Sequence, residues 1–524
     1  MNWRHFLFFI FVLIFFSLFT FRLYFLQIKN GSFYKALAQG ISFSNNPSKE
    51  RGKIYFRGGE EMATNVVLPF VWLNPKEVKD KKDTIKKLSK VLDCPEETIE
   101  SYFQKDGNFF VLKRKISLTE VKSLKDLNLD GVYIGEEKVR FYPQGKIASK
   151  IIGFVNQDGK GQYGLEEFFD EKLNEGEDIY TTIDLNLQKK AEELLEKAKE
   201  KLAIEGGQII VIDPTNGEVL AMADFPNFDP NLYLKEENLE IFQNSATQKF
   251  FEPGSTFKPI TMAAAIEENK VTPETTFVDN GFVKIGGWTI ENFEKRVWGK
   301  RTMTEVLEWS INTGAVFVEQ QLGHENFLKY VEKFGFFEKT GIELPEEVSE
   351  NKELKKGYEI NFATASFGQG IQVTPVQLVR AISVLANGGK LMPLHIILGE
   401  TSSSKQVISP QTAQTLTKML VQVVENGYGK RAKVPGYFIA GKTGTSQIPY
   451  NRLGIKKSGY SEETWQSFVG WVPAFDPKFL FLVKLDRPKA ISAGYSTTIL
   501  AKELIEFLIS YYQLMPDYEV SFSH

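Results

Sequence analysis

Glu252-Pro-Gly-Ser-Thr-Phe-Lys-Pro259 is the stretch from which the rest of the chain is best read. Pro253-Gly254 interrupts any regular structure before it, and Pro259 is tolerated in a helix only within the first turn. The helical pattern running through Ile260 to Glu267 must therefore begin close to Ser255. At such a place backbone N–H groups are unpaired and the helix dipole is positive, which favours a developing oxyanion. Lys258, three residues on, shares the face of Ser255 and lies within reach of its hydroxyl. A serine hydroxyl is a poor nucleophile until a base takes its proton. The four histidines (His5, His324, His395, His524) have no second His or Cys at ligand spacing, so neither a Ser-His-Asp triad nor a zinc site is expected. A lysine serves as the base if desolvation and a second cation pull its pKa down.

That second cation is expected to be Lys442, in Lys442-Thr443-Gly444-Thr445. These residues follow the apolar stretch Tyr437 to Gly441 and precede the strand-like Trp465 to Val472, so they read as an edge strand. Gly444 leaves room for a substrate strand to approach the backbone and pair by strand addition. Thr443 and Thr445 offer hydroxyls, and Lys442 a charge, to a carboxylate. The backbone N–H groups of Ser255 and Thr445 are the candidate oxyanion hole. A third motif, Ser310-Ile-Asn312, follows the helix-like Thr304 to Trp309. In this constellation Ser310 relays protons between the lysines and Asn312 holds a substrate amide. Taken singly, each motif is an ordinary helix face or loop; their order and setting carry the reading.

The surrounding sequence reads as α+β. Asp184 to Ala203 has the apolar spacing of an amphipathic helix, with Leu187, Ala191, Leu194, Leu195 and Ala198 on one face. Gln208 to Asp213 and Val219 to Ala223 form a hairpin around Pro214-Thr-Asn-Gly217, and Ser467 to Val472 pairs with Phe479 to Leu485. Antiparallel strands with helices between them imply a sheet covered by helices. Residues 30–180 read as a separate, small α+β module. In it Lys82 to Phe103 has near-helical apolar spacing, and Ser117 with Glu120 has capping-box spacing. The second domain is expected over 181–524.

Phe6 to Leu26 is long and apolar enough for one transmembrane helix, with residues 1–5 as a short cytoplasmic tail. A cleaved signal peptide would have to use Ala36-Leu-Ala38, which lies well past the apolar run and beyond Arg22 and Lys29, so an uncleaved anchor is expected. Lys+Arg 63 against Asp+Glu 66 gives no reason to expect nucleic acid as a partner. With Cys94 as the only cysteine, neither an intramolecular disulfide nor a cysteine metal cluster can form.

Ser255-Thr-Phe-Lys258, Ser310-Ile-Asn312 and Lys442-Thr-Gly444, in this order, match the motif set of penicillin-binding proteins and class A β-lactamases, which have Asp in the middle of the second motif. From about Arg51 to Ala501 the chain resembles the class B penicillin-binding proteins. Arg51-Gly-Lys-Ile54, Arg140-Phe-Tyr-Pro143, Gly161-Gln-Tyr-Gly-Leu-Glu166, Thr182-Ile-Asp184, Glu252-Pro-Gly254, and Gly368-Gln-Gly370 with Thr374-Pro375 carry that resemblance. It implies a peptidoglycan D,D-transpeptidase that needs no cofactor and is acylated by β-lactams. The nucleophile would be Ser255, assisted by Lys258, Ser310, Asn312 and Lys442, with Thr443, Gly444 and Thr445 binding substrate. It further implies a single-pass protein of the bacterial cytoplasmic membrane with an extracytoplasmic catalytic domain and a pedestal or dimerisation-type module. Its partners would be stem peptides and a membrane glycan polymerase of the shape, elongation, division and sporulation family, since residues 30–180 are too few for a glycosyltransferase domain. Gly153-Phe-Val-Asn-Gln-Asp158 is similar to the septal branch of the family rather than the elongation branch. One departure is Phe56-Arg-Gly-Gly59, where the family usually has Asp-Arg-Asn-Gly; it falls in the expected non-catalytic module, where it bears on partner contacts or inter-domain packing and not on the chemistry. Two other readings compete: a β-lactam sensor or non-catalytic scaffold, against which the intact motifs argue, and a class D β-lactamase, which has an apolar residue where Asn312 stands.

Overall fold

The computed structural model describes residues 3–24, 50–400 and 403–519. A first helix, α1, spans Trp3–Tyr24, and its side chains at residues 4–9 and 11 lie outside the described residues. Leu13 to Phe16, Leu18, Phe19 and Phe21 are exposed on it. Among the described residues no helix is long and apolar enough to cross a membrane. Phe25 and Leu26, the end of the expected span, and Ala36 to Ala38 lie outside the described residues.

The rest of the chain packs as two units. The smaller gathers Thr64–Phe141 and Asn174–Gly176 with the chain through Arg51. Its sheet is built on β1 (Glu61–Leu73), flanked by β2 (Phe110–Lys113) and β3 (Val132–Phe141), both antiparallel to it. Three helices, α2 (Lys81–Leu92), α3 (Glu96–Phe103) and α4 (Leu118–Leu127), supply Ile85, Leu88, Leu92, Ile99 and Leu124 to a core with Val71. The helical spacing read over Lys82 to Phe103 is thus two helices. Asp93 closes α2 in the left-handed region (φ 51°) with its N–H on the Ser89 carbonyl, and Pro95 opens α3. Ser117 and Glu120 do form the reciprocal capping box at the start of α4.

The larger unit holds Gly52–Ala63, Tyr142–Leu173 and Glu177 onward. At its centre is an antiparallel sheet of five strands: β4 (Gly206–Ile212), β5 (Val219–Phe225), β6 (Ala440–Pro449), β7 (Tyr460–Val472) and β8 (Phe479–Asp486), in the spatial order β6-β7-β8-β4-β5. Every residue of β4 and β5 is buried, because helices cover both faces. Side chains alternate between those faces. Ile209, Val211, Phe481 and Val483 join a core with α5 (Leu185–Leu202) and α10 (Thr497–Tyr511). Ile210, Ile212, Leu480 and Leu482 join the opposite core, with α6 (Lys258–Glu267), α7 (Asn312–Leu322), α8 (Pro375–Ala386) and α9 (Pro410–Glu425). Helix α5 starts where its sequence predicts, since the Asp184 carboxylate accepts from the N–H groups of Asn186 and Leu187, both at 2.9 Å. Strand β6 forms one edge of the sheet, as expected for Lys442 to Thr445.

Candidate active site

Three segments of the larger unit bring the motif residues together. Gly254–Phe257 is a 3-10 turn that runs directly into α6, where Pro259 occupies the first turn. In a 3-10 turn side chains three apart eclipse one another, so Ser255 and Lys258 face the same way. The Ser255 N–H lies in the first turn, where such groups lack an intrahelical partner. Gly254 takes a left-handed φ of +56° to make the turn, and its N–H donates to the Gly368 carbonyl at 3.0 Å. A Cβ on Gly368 would come within 2.1 Å of the Gly254 carbonyl oxygen, so the Gly368 loop lies against the nucleophile turn only as glycine.

The second segment is the turn between a short helix, Met303–Glu308, and α7. Ser310 adopts φ +54°, a left-handed conformation that costs a serine about 1–3 kcal/mol. That turn carries the Ser310 carbonyl to 2.5 Å from Lys258 Nζ. Helix α7 has no side-chain cap of its own. Instead Asn292 Oδ1 accepts from the N–H groups of Asn312 (3.0 Å) and Thr313 (3.2 Å). Asn292 is in turn fixed by Asp279 through its Nδ2 at 2.9 Å, and the same Asp279 accepts from Thr313 Oγ1 at 2.7 Å. Asn292 and Asp279 escaped sequence reading, because the cap comes from 20 residues away and nothing local marks it.

The third segment is β6, paired in register with β7 through Lys442↔Val469 and Thr445↔Gln466. A Cβ on Gly444 would lie 2.9 Å from the Pro253 carbonyl oxygen and 3.0 Å from Thr256 Cγ2. The glycine therefore lets the strand close on the nucleophile turn, a packing reason that differs from the open approach expected from sequence. Thr445 Oγ1 accepts from the Ala493 N–H at 3.0 Å, which orients its own proton away, free to be donated.

At the junction the Ser310 hydroxyl is shared by two lysines, with Lys442 Nζ at 2.9 Å and Lys258 Nζ at 3.2 Å. Lys258 also donates to Asn312 Oδ1 at 2.8 Å, and Asn312 Nδ2 donates to the Glu291 carbonyl at 3.0 Å. The Asn312 amide is thus already engaged at both ends, with one lone pair and one N–H left for a ligand. Lys258 and Lys442 are both buried, and among the described residues no carboxylate lies within ion-pair distance of either. Burial, aided by the neighbouring Lys442, holds Lys258 well below an ordinary lysine, and burial pulls Lys442 down to about 7. The Ser255 hydroxyl makes no hydrogen bond to Lys258 among the described residues; the amine is turned toward Ser310 and Asn312. Thr443 is buried beside Lys442, whose Nζ also reaches the Thr443 carbonyl at 3.1 Å.

An amine whose charge burial disfavours, beside a serine at a helix start, with a second hydroxyl wired to a second amine, is equipped for acyl transfer without histidine or metal ligands. Comparison with known proteins agrees with this chemistry. Residues 207–506 match the family described as "Penicillin binding protein transpeptidase domain", and residues 47–210 match "Penicillin-binding Protein dimerisation domain". The chain is 34% identical over 516 residues to Stage V sporulation protein D of Bacillus subtilis, covering 89% of this chain and 79% of that protein. It is 29% identical to the peptidoglycan D,D-transpeptidase FtsI of Escherichia coli K12, covering 88% and 82%. The fold is that of penicillin binding protein 3 from Mycobacterium tuberculosis in complex with ampicillin, with TM-score 0.72, 24% identity, and 90% of this chain and 97% of that one covered. The chain belongs to the penicillin-binding protein family, with a transpeptidase domain of the serine acyltransferase type preceded by a dimerisation domain.

Proposed function

We propose that the protein is a peptidoglycan D,D-transpeptidase that cross-links stem peptides through an acyl-enzyme on Ser255. The observation that carries this reading is the Ser310 hydroxyl held between two buried lysines that, among the described residues, have no carboxylate within ion-pair distance. Lys258, uncharged, takes the Ser255 proton as Oγ attacks the carbonyl of the penultimate D-Ala. The oxyanion is met by the N–H groups of Ser255 and Thr445, each such donor being worth ~3–4 kcal/mol. The terminal D-Ala leaves with a proton returned through Ser310 and Lys442. An amine from a neighbouring stem then attacks the ester, loses its proton to the same relay, and frees Ser255. Lys442, Thr443 and Thr445 hold the terminal carboxylate, Gly444 presents its backbone, and Asn312 holds a substrate amide. A β-lactam presents a similar carbonyl and carboxylate and acylates the same serine.

The transpeptidase domain is assigned to 181–524 and the non-catalytic module to 30–180, the latter a pedestal that docks a membrane glycan polymerase. Residues 6–26 anchor the chain in the cytoplasmic membrane with residues 1–5 inside and the catalytic domain outside, where its substrate lies. Gly153-Phe-Val-Asn-Gln-Asp158 and the likeness to proteins named FtsI favour a role at the division septum. The 34% identity to a sporulation protein favours a second setting, in which the same chemistry builds a sporulation wall. A fluorescent fusion at the septum of vegetative cells supports the first; one confined to sporulating cells supports the second.

The activity is tested by intact-mass spectrometry of the full chain in detergent with a penicillin, followed by peptide mapping. A stable adduct on Ser255 that Ser255→Ala abolishes is the expected result. No adduct on folded protein would overturn the reading in favour of a scaffold, and rapid drug turnover without accumulation would point to a hydrolase.

A further inference from the structure

Phe251 to Gly254, the segment delivering Ser255, is gripped along its length by residues 368–373. Phe251 and Val373 exchange backbone hydrogen bonds at 3.0 Å in both directions, and the Gly254 N–H reaches Gly368. Between these two points lies Glu252, a carboxylate buried to 4% exposure three residues before the nucleophile. Among the described residues it forms no ion pair with either lysine, and it takes no part in the proposed chemistry. The Tyr460 hydroxyl, on the first residue of β7, donates to its carboxylate at 3.0 Å, and the Gly370 N–H donates as well. The Glu252 carbonyl accepts from Ser446 Oγ of β6 at 2.6 Å. One residue thus ties together the nucleophile turn, the strand carrying Lys442 to Thr445, the far end of the β6–β7 connection, and the Gly368–Gly370 loop.

A buried carboxylate is costly unless its lone pairs are met, and the partners met here are all on active-site segments. The charged group facing the pair is Arg452, which acts on Glu252 at a distance while donating to Gln372 Oε1 at 2.7 Å. Burial raises Glu252 to about 7, and burial together with the Glu252 carboxylate raises Tyr460, so the phenol keeps its proton and the pair is held by a hydrogen bond rather than as an ion pair. A core that needed only space filled at this position would have used an apolar residue.

We infer that Glu252 is a positioning residue for acylation: through Tyr460 and Gly370 it locks the nucleophile turn against β6, fixing the Ser255 hydroxyl and the two oxyanion donors in one geometry. The inference rests on the acyl-transfer reading above and adds to it a group that never touches substrate. Three variants of the full chain, Glu252→Gln, Tyr460→Phe and the double, test it by stopped-flow acylation with a penicillin across pH 5.5–9, alongside thermal melts. Glu252→Gln keeps the volume but sets an amide donor against two donors. The expected result is a first-order acylation rate lowered ~10-fold or more, with the affinity of the preceding non-covalent complex changed less than ~3-fold. Tyr460→Phe should produce a similar loss, and the double variant should be no worse than the worse single, because one coupled unit has been broken. The acid limb of the pH profile should become shallower in Glu252→Gln, while Glu252→Asp should recover part of the rate. Wild-type rate in Glu252→Gln, additive losses in the double variant, or a loss that merely follows the folded fraction at every pH would each overturn the inference. Failure of the wild-type protein to acylate would instead overturn the proposed function.

Discussion

Two ammonium groups, both buried, cannot lie against the Ser310 hydroxyl without repelling one another. The fold resolves this by disfavouring both charges, and the consequence is measurable as a pH dependence. An unfolded lysine titrates near 10.4, whereas Lys442 in the fold is held at about 7. Between those values the unfolded chain binds a proton that the folded chain does not, so stability rises with pH across that window. Below about 7 the charged form is present in both states and the burial cost is at its largest. Lys442→Met removes the titrating group while keeping its length. Melts at pH 6 and pH 10 should show the variant gaining several degrees over the wild type at pH 6 and little at pH 10, while acylation by penicillin falls ~100-fold or more. A pH-independent difference in melting temperature would contradict the assignment of Lys442 as a group whose charge the fold disfavours. For Lys258 the direction is the same and the effect is kinetic. The acylation rate should rise with pH as Lys258 loses its proton, and the limb that Lys258 governs should vanish in Lys258→Met together with nearly all activity.

At the scale of the elements the site depends on how closely β6 lies to the nucleophile turn, and Gly444 sets that distance. Gly444→Ala places a methyl group 2.9 Å from a backbone oxygen that cannot yield cheaply, so the strand must back away. We expect a stability loss of about 1–3 kcal/mol by denaturant titration and acylation slowed ~10-fold or more. Asn292→Ala tests the other support. It strips the carbonyl that caps α7 in place of a local side chain, with an expected loss of about 1–2 kcal/mol and a weakened hold on Asn312. These two examples mark how far the sequence could be read. Ser255, Lys258, Ser310, Asn312 and Lys442 were legible because each motif is short, and because Pro259 and the apolar runs around Lys442 fix the local structure that carries it. The Asp279–Asn292 support and the Glu252–Tyr460 pair were not, because their partners lie 13 to 208 residues apart and meet only once the hairpins and the β6–β7 ladder have set their register. The left-handed Ser310 was hidden for a related reason. Serine gives no local signal for φ +54°; the surrounding turn imposes it. Gly444 was noticed for its missing side chain, yet which neighbour fills the gap is a matter of packing that one strand does not encode.

Over the whole molecule, the strands of the catalytic sheet alternate cleanly between two cores and the buried helices cover both faces, so the larger unit has what it needs to fold as a body. Among the described residues, helix α1 contributes no side chain to these cores. Its 22 residues extend ~33 Å, and the apolar side chains described on it from Leu13 to Phe21 are exposed. Exposed apolar surface of that extent on a water-soluble chain would drive association. In the anchor proposed above it would be solvated by lipid, with Arg22 in the last turn able to reach the interface. Two measurements separate these outcomes. Removing residues 1–28 should move the protein from the membrane fraction to the soluble fraction while leaving the rate of penicillin acylation within about 2-fold. Orientation follows from the single cysteine: in a Cys94→Ser background, Glu97→Cys introduces a thiol at an exposed position of α3. A maleimide that cannot cross membranes should label it in intact spheroplasts as fully as in lysed ones. Labelling only after lysis would place the catalytic unit in the cytoplasm, away from any cross-linked wall, and with it the assignment of stem peptides as substrate would fall.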